Sequence, residues 1–193
     1  MTTVSTPAPS RTSLIRWHHL YYVSAALVVM IVAIVLRDLW FLNYVHVLAG
    51  LMWTGIDLFM GFVVGPMIRR LAPETRRQVV LALTPRTLFL LPTLATITGT
   101  TGWYLAVERG YTQLEWPHYG WVAAALALTT LMAIQGTGFL LPTNLRVCME
   151  LAKEKPDHTW IARTMSRFYY VVGLQGVMQM LIIIIMARFA TGI

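Results

Sequence analysis

The chain has 193 residues, of which 57% are hydrophobic and only 12% are charged, whereas soluble domains are about 45–50% apolar and about 25% charged. This composition excludes an ordinary water-soluble domain and predicts an all-α membrane protein that crosses the bilayer several times. The formal net charge of +7 does not indicate a nucleic-acid partner, because the basic residues sit at the ends of apolar segments, where membrane topology explains them.

Five apolar segments reach the roughly 20 residues that a membrane-spanning helix needs. The first follows a polar tail over residues 1–16, which is predicted to be disordered. The remaining chain, residues 17–193, is predicted to form a single transmembrane domain, in which spans two to five build a four-helix bundle. The predicted spans cover residues 17–36, 39–67, 85–107, 117–147 and 168–189.

The basic residues predict how these spans are oriented, because Lys and Arg favour the cytoplasmic side of a membrane. They are concentrated before the first span and in the loops after the second and fourth spans. The N-terminus is therefore expected in the cytoplasm and the C-terminus outside. The predicted location is the bacterial inner (cytoplasmic) membrane, with the lipid bilayer as the first partner.

Spans two and four end in similar sequences, which suggests an internal repeat. Residues 61–70 read GFVVGPMIRR and residues 138–146 read GFLLPTNLR. Each has a Gly-Phe pair, two apolar residues, a proline and then arginine, with an offset of one residue between them. Each span also carries a histidine near its outer end, His46 and His118, and a repeat would place these two histidines in equivalent positions around a shared centre.

His46 lies too deep in span two for its short side chain to reach the interface, so we expect it to face the bundle interior. At helical spacing it shares one face with Gly50, Trp53 and Asp57. Neutral imidazole is a good ligand of haem iron, and Gly50 leaves room for a flat ligand or for a close neighbouring helix. The alternative is a histidine that hydrogen-bonds to a neighbouring backbone or hydroxyl group.

His118, near the start of span four, is the second candidate metal ligand. Its spacing from Pro142 places it roughly 6 Å shallower than His46, a difference that helix tilt can remove. The sequence contains no HxxxH, HExxH or carboxylate-rich pattern, so a dedicated zinc or di-iron site is not predicted. The expected site is one haem b held by His46 and His118, with Gly50 and Trp53 lining its pocket.

A second group of polar residues is expected near the middle of the membrane. Asp57 lies 11 residues beyond His46, or ~16 Å along the helix axis, and an unpaired carboxylate is costly at that depth. Two interpretations remain open: a hydrogen-bonded network that holds the helices together, or a proton path or quinone site. The other members of this network are expected to be Arg86, Gln135, Gln175 and Gln179.

Span three combines a proline with a small, hydroxylated surface. Pro92 is expected to loosen or kink the helix, because proline removes a backbone hydrogen bond. Close helix packing and a cavity wall against a cofactor both explain the small residues. These residues are Thr96, Thr98, Gly99, Thr100, Thr101 and Gly102.

The stretches HVLAGLMWTG in span two and LTPRTLFLLPTLATITGTTGWYL in span three resemble a superfamily of small polytopic membrane proteins. It includes the bacterial haem-synthesis protein HemJ, a protoporphyrinogen oxidase, the copper-resistance protein CopD and the membrane domain of a cytochrome-linked urate oxidase. The resemblance implies b-type haem binding, with His46 at the position of the superfamily's span-two histidine. The segment WPHYGW lacks the lysine that HemJ proteins have near a W-x-H-x-K stretch, which counts against the activity of HemJ itself.

Two hypotheses of function follow. In the first, the chain is a b-type haem protein in electron transport, an oxidoreductase or a subunit of one, with the haem in the outer half of the bundle. One haem there does not span the bilayer electrically, so a quinone or a redox partner protein is implied. In the second, the chain is a cofactor-free anchor or assembly subunit, or a small transporter. Both leave open whether the chain forms a homo-oligomer or joins a larger complex.

Overall fold

A computed structural model describes residues 19–192, apart from the side chains of His19 and Arg86. Within this range every regular element is helical, and the predicted tail over residues 1–16 lies outside it. Helix α1 spans His19–Leu36 and α2 spans Leu39–Phe59. A π-helical segment (Met60–Val64) then joins α2 to α3 (Gly65–Arg70) without a break.

The second half of the chain repeats this construction. Helix α4 runs over Pro73–Glu108, and a short 3₁₀ turn at Tyr111–Gln113 leads toward α5 (Tyr119–Gln135). A second π-helical segment joins α5 to α6, and a long final helix follows. Those three elements are the π-helical segment Gly136–Leu140, α6 (Leu141–Leu151) and α7 (His158–Ala190).

Three continuous helices are long and apolar enough to cross a membrane: Leu39–Arg70, Tyr119–Leu151 and His158–Ala190. A fourth is added when the two parts of α4, Pro73–Pro85 and Thr87–Glu108, are taken as one bent span. Helix α1 is a shorter apolar helix. The described residues therefore form an all-helical protein with several potential membrane spans, while the number five and the orientation stay predictions.

Helix α4 bends at Pro85, a position at which the sequence predicted no kink. The helix axis turns by 40° between Pro85 and Thr87, whereas Pro92 lies inside the second part, which continues to Glu108. A loosening or smaller kink at Pro92 stays a prediction. Proline at either site removes one backbone hydrogen bond, but at Pro85 the bend coincides with the transition from the polar start of α4 to its apolar part.

The internal repeat is present in the structure and aligns on its prolines. Each π-helical segment ends two residues before a proline, Pro66 in the first and Pro142 in the second. The residue before each proline donates its N–H to the carbonyl five residues earlier, on Met60 in one segment and Gly136 in the other. Because proline has no N–H to donate, a widened turn ends at the same place in both helices, and the offset of the Gly-Phe pair falls inside that turn.

Helix α4 is the central packing element of the first half. It packs against α1, α2 and α6, while α7 packs mainly against α5. Helix α1 contacts both α2 and α4, and its Ala33 is completely buried. The first predicted span therefore belongs to the packed core, in addition to the four helices expected to form the bundle.

The end of α6 is held by an arginine from the start of α4. The Arg77 Nε–H donates to the carbonyl of Leu151 at 2.7 Å, and Nη2 donates to the carbonyl of Lys153 at 3.2 Å. Carbonyl groups at a helix C-terminus lack intrahelical partners, and a guanidinium satisfies them with favourable charge as well. This contact connects the two loops that are predicted to face the cytoplasm.

Replacing Arg77 by glutamine is expected to lower the free energy of unfolding by about 1–2 kcal/mol, since two charge-assisted hydrogen bonds are lost at a partly exposed site. The matched control is Arg70→Gln, because Arg70 is exposed and forms no hydrogen bond or ion pair with the described residues. Thermal unfolding in detergent micelles measures both variants. Equal stability of the two would show that Arg77 does not hold the end of α6.

Candidate functional site

The ring of His46 faces inward, as its helical position predicted, and lies against α4. Nδ1 lies 3.0 Å from the carbonyl oxygen of Thr98 and 3.3 Å from Oγ1 of Thr101. The Thr101 hydroxyl itself donates to the carbonyl of Ile97 at 2.6 Å. Both neighbours of Nδ1 therefore act as acceptors, so Nδ1 carries the proton of the neutral ring and donates it.

The α4 backbone makes space for this ring at Gly102. A Cβ atom at that position would lie 2.8 Å from Cε1 and 3.2 Å from Nδ1 of His46. Gly50, one turn along α2 from His46, is packed closely in the same interface, because a Cβ there would lie 3.3 Å from the Thr98 methyl group. Gly50 was predicted to leave room either for a flat ligand or for a close neighbouring helix, and the structure shows the close helix.

The hydroxylated surface of α4 serves the same contact. Thr98, Thr101 and Gly102 all meet α2, and Thr101 is completely buried. Gly99 points elsewhere, toward Thr129 of α5. The hydroxyl of the exposed Thr96 donates a hydrogen bond to the carbonyl of Pro92. Close packing between helices therefore explains the part of this surface that faces α2.

This arrangement leaves the second ring nitrogen of His46 available. Nε2 makes no hydrogen bond within residues 19–192, and in the tautomer fixed by Thr98 it carries a lone pair. Histidines that bind metals commonly donate the other ring N–H to a carbonyl or carboxylate, which fixes the ring orientation and raises the basicity of the ligating nitrogen. Nε2 of His46 therefore has the properties of a nitrogen that could bind a haem iron.

His118 lies in a different environment. It is exposed, immediately before α5, and its ring makes no hydrogen bond or ion pair with the described residues. Its ring makes no hydrogen bond with His46, and α5, which follows it, packs mainly on α7, whereas α2 packs on α4 and α1. Among the described residues, no three His, Cys, Asp or Glu side chains converge in a way that could hold a metal ion.

Asp57 forms the polar cluster expected near the membrane centre, and its partners come from α7. Gln179 Nε2 donates to Oδ2 of Asp57 at 2.8 Å. The side chains of Gln175 and Trp53 lie close to the same carboxyl group. Trp53 is 6% exposed and lies between His46 and Asp57 on the inward face of α2, so it connects the two polar sites along one helix.

Two buried oxygen atoms in this cluster have no hydrogen-bond partner among the described residues. They are Oε1 of Gln175 and Oε1 of Gln179, on side chains that are 3% and 1% exposed. Buried polar atoms are almost always hydrogen-bonded in folded proteins, to protein groups or to ordered water. Each of these two oxygen atoms can therefore accept a hydrogen bond from a donor such as a water molecule, a protonated carboxyl group or a ligand hydroxyl.

Of the two remaining members of the predicted network, the structure describes the side chain of Gln135 only. Gln135 donates from Nε2 to the carbonyl of Val171 at 2.7 Å, which connects α5 to α7. This hydrogen bond holds two helices together, which is one of the two roles left open for the network. The side chain of Arg86 lies outside the described part of the structure.

Several contacts in these sites were not predicted. The Thr98 carbonyl and the Thr101 hydroxyl were not assigned to His46, and neither Trp53 nor Gly102 was assigned its contact. The spacing of small residues in span three carried a general signal for a close helix contact, but it did not identify the partner. A basic groove between α6 and α7 was not predicted either, because membrane topology explained its arginines.

Comparison with known proteins does not assign a family to this chain. No protein-family model, no curated protein and no solved structure matches this chain.

Proposed function

We propose that this chain is a five-span protein of the bacterial cytoplasmic membrane that binds one haem b through His46. In this role it takes part in electron transport as an oxidoreductase or as a subunit of one. The observation that carries the proposal is the hydrogen bond from Nδ1–H of His46 to the Thr98 carbonyl, which leaves Nε2 free. The resemblance of spans two and three to the HemJ/CopD-like superfamily supports the same cofactor.

The residues around His46 would orient and protect the ligand. The Thr98 carbonyl holds the tautomer in which Nε2 has its lone pair, and Gly102 allows the ring to lie against α4. When bound, haem b exchanges single electrons between its ferric and ferrous forms, and the axial ligand and its hydrogen bonds tune the potential. A second ligand is left open, because His118 is exposed.

The Asp57 cluster would supply the proton-handling or quinone-binding part of this function. Asp57 accepts from Gln179, and two buried amide oxygens beside it can each accept a hydrogen bond. A quinol offers hydroxyl donors of that kind and releases protons when it is oxidised. Trp53 lies between this cluster and His46 on one face of α2, so both sites are carried by the same helix face.

Purified protein in detergent is expected to show a Soret band that shifts when dithionite reduces it, and His46→Ala is expected to lose that band. Because alanine removes the ring and leaves no ligating atom, loss should be complete at matched protein concentration. His158→Ala is the control, since His158 is an exposed histidine at the start of α7. Imidazole added to a folded His46→Gly variant is expected to restore part of the band.

Close packing at Gly50 favours a second candidate function. With a Cβ position only 3.3 Å from Thr98, this level of the α2–α4 interface has no space for a flat ligand, and the hydrogen bond of His46 could serve only to fasten two helices. The chain would then be a cofactor-free anchor or assembly subunit, or a small transporter. A colourless wild-type protein that is folded and monodisperse after growth with added haem precursor would decide for this candidate.

A further inference from the structure

A groove with a volume of about 380 Å³ opens between α6 and α7. From the α6 side, the end of the second π-helical segment contributes Phe139, and α6 itself contributes Thr143 and Arg146. These residues are spaced by four and three positions, so they form one helical stripe. From α7 the groove is lined by Trp160, Arg163 and Arg167, a second stripe at the same spacing, with Thr164 beside it.

The groove is strongly basic, and its charges are not neutralised by the protein. Arg146, Arg163 and Arg167 are all exposed, and none of them forms an ion pair or hydrogen bond with a residue in the described range 19–192. No acidic side chain is among the described residues that line the groove. Arg77, by contrast, uses its guanidinium on the backbone carbonyls at the end of α6.

The position along the helices places Arg146 and Arg163 at headgroup depth, with Arg167 one helical turn, about 6 Å, deeper. Each of the two continuous helices has 33 residues, or about 50 Å at 1.5 Å per residue, against a hydrocarbon core of about 30 Å. A centred helix therefore extends about 10 Å beyond the hydrocarbon at each end. Arg146 lies five residues before the end of α6 and Arg163 five residues after the start of α7, about 8 Å from those ends.

The apolar and aromatic residues of the groove also lie at depths that suit a membrane. Phe139 lies seven residues from Arg146 toward the membrane centre, about 10 Å along the helix, at the depth of acyl chains. Trp160 lies closer to the helix start than the α7 arginines do, and tryptophan is enriched at membrane–water interfaces. The groove thus has a charged part at the surface and an apolar part below it.

We propose that this groove binds an anionic phospholipid, with the lipid phosphate held by Arg146, Arg163 and Arg167 and an acyl chain lying along Phe139. Guanidinium groups bind phosphate oxygens in a bidentate manner, and basic pockets between membrane helices hold anionic headgroups. The hydroxyls of Thr143 and Thr164 line the same groove and can donate further hydrogen bonds. Lipid binding in this groove requires that the helices lie in a membrane, but it does not require a bound haem.

Native mass spectrometry of the full chain in detergent tests this directly. The protein is mixed with phosphatidylglycerol and phosphatidylcholine that have identical acyl chains, and wild type is expected to retain roughly tenfold more of the anionic lipid. The double variant Arg163→Gln/Arg167→Gln is expected to lose that preference. The control Arg70→Gln/Lys155→Gln removes two positive charges from exposed sites outside the groove and is expected to keep it.

Three results would overturn the proposal. One is equal retention of the two lipids by wild type. Another is equal loss of the preference in the groove and control variants, which would indicate general electrostatic attraction. The third comes from a parallel titration with inorganic phosphate: protection of wild type against thermal unfolding, without any preference for the anionic lipid, would assign the groove to a soluble phosphate compound. Circular dichroism of each variant confirms that it is folded.

Discussion

Replacing Gly102 by alanine is expected to destabilise the fold by about 1–3 kcal/mol, the usual range for overpacking a tight interior. The added Cβ would lie 2.8 Å from Cε1 of His46, closer than nonbonded carbon atoms approach. Either α4 moves away from α2 or the ring turns out of its place. A turned ring loses the Thr98 carbonyl and the Thr101 hydroxyl together, so the Soret band proposed for His46 should weaken or shift as well.

The matched control for this variant is Gly55→Ala on α2. A Cβ at Gly55 meets no atom within 4 Å, and alanine is favoured over glycine in a helix by roughly 0.5–1 kcal/mol. We therefore expect this control to be at least as stable as wild type, measured as the denaturant midpoint in mixed micelles. A Gly102→Ala protein with the same stability as the control and an unchanged spectrum would contradict the placement of the His46 ring.

Removing the Asp57 carboxylate is expected to cost about 1–3 kcal/mol in the Asp57→Ala variant, because it leaves the buried amide of Gln179 without its acceptor. Asp57→Asn keeps a carbonyl oxygen that can accept the same hydrogen bond, so we expect its stability to stay within about 1 kcal/mol of wild type. The pair of variants separates the loss of a hydrogen bond from the loss of an ionisable group.

The same pair distinguishes the two roles that were left open for the polar cluster. If Asp57 handles protons, folded Asp57→Asn protein should show quinol-driven haem reduction that is slower by roughly 100-fold, the size typical of losing a proton-transfer group. Asp157→Asn, at the exposed N-cap of α7, is the control and should react at the wild-type rate. A wild-type rate in Asp57→Asn would leave the carboxylate with a purely structural role.

Local pattern was enough to predict much of this protein. The composition and the apolar segments predicted an all-helical chain, and the 3.6-residue period placed His46, Trp53 and Asp57 on the inward face of α2. The proline repeat at Pro66 and Pro142 was also visible in the sequence, although the widened turns before these prolines were not. Each of these features depends on residues within one or two helical turns, where backbone geometry alone relates sequence to structure.

The partners of these residues were decided by the tertiary structure. His46 meets Thr98, 52 residues away, and Asp57 meets Gln179, 122 residues away. The groove between α6 and α7 likewise exists only because two arginine-bearing stripes face each other across a helix pair. Periodicity determines which face of a helix is apolar or polar, but the axial register and the crossing of two helices depend on the packing of all their side chains at once. For this reason the sequence predicted which residues carry the chemistry, and only the packed helices decided what each of them contacts.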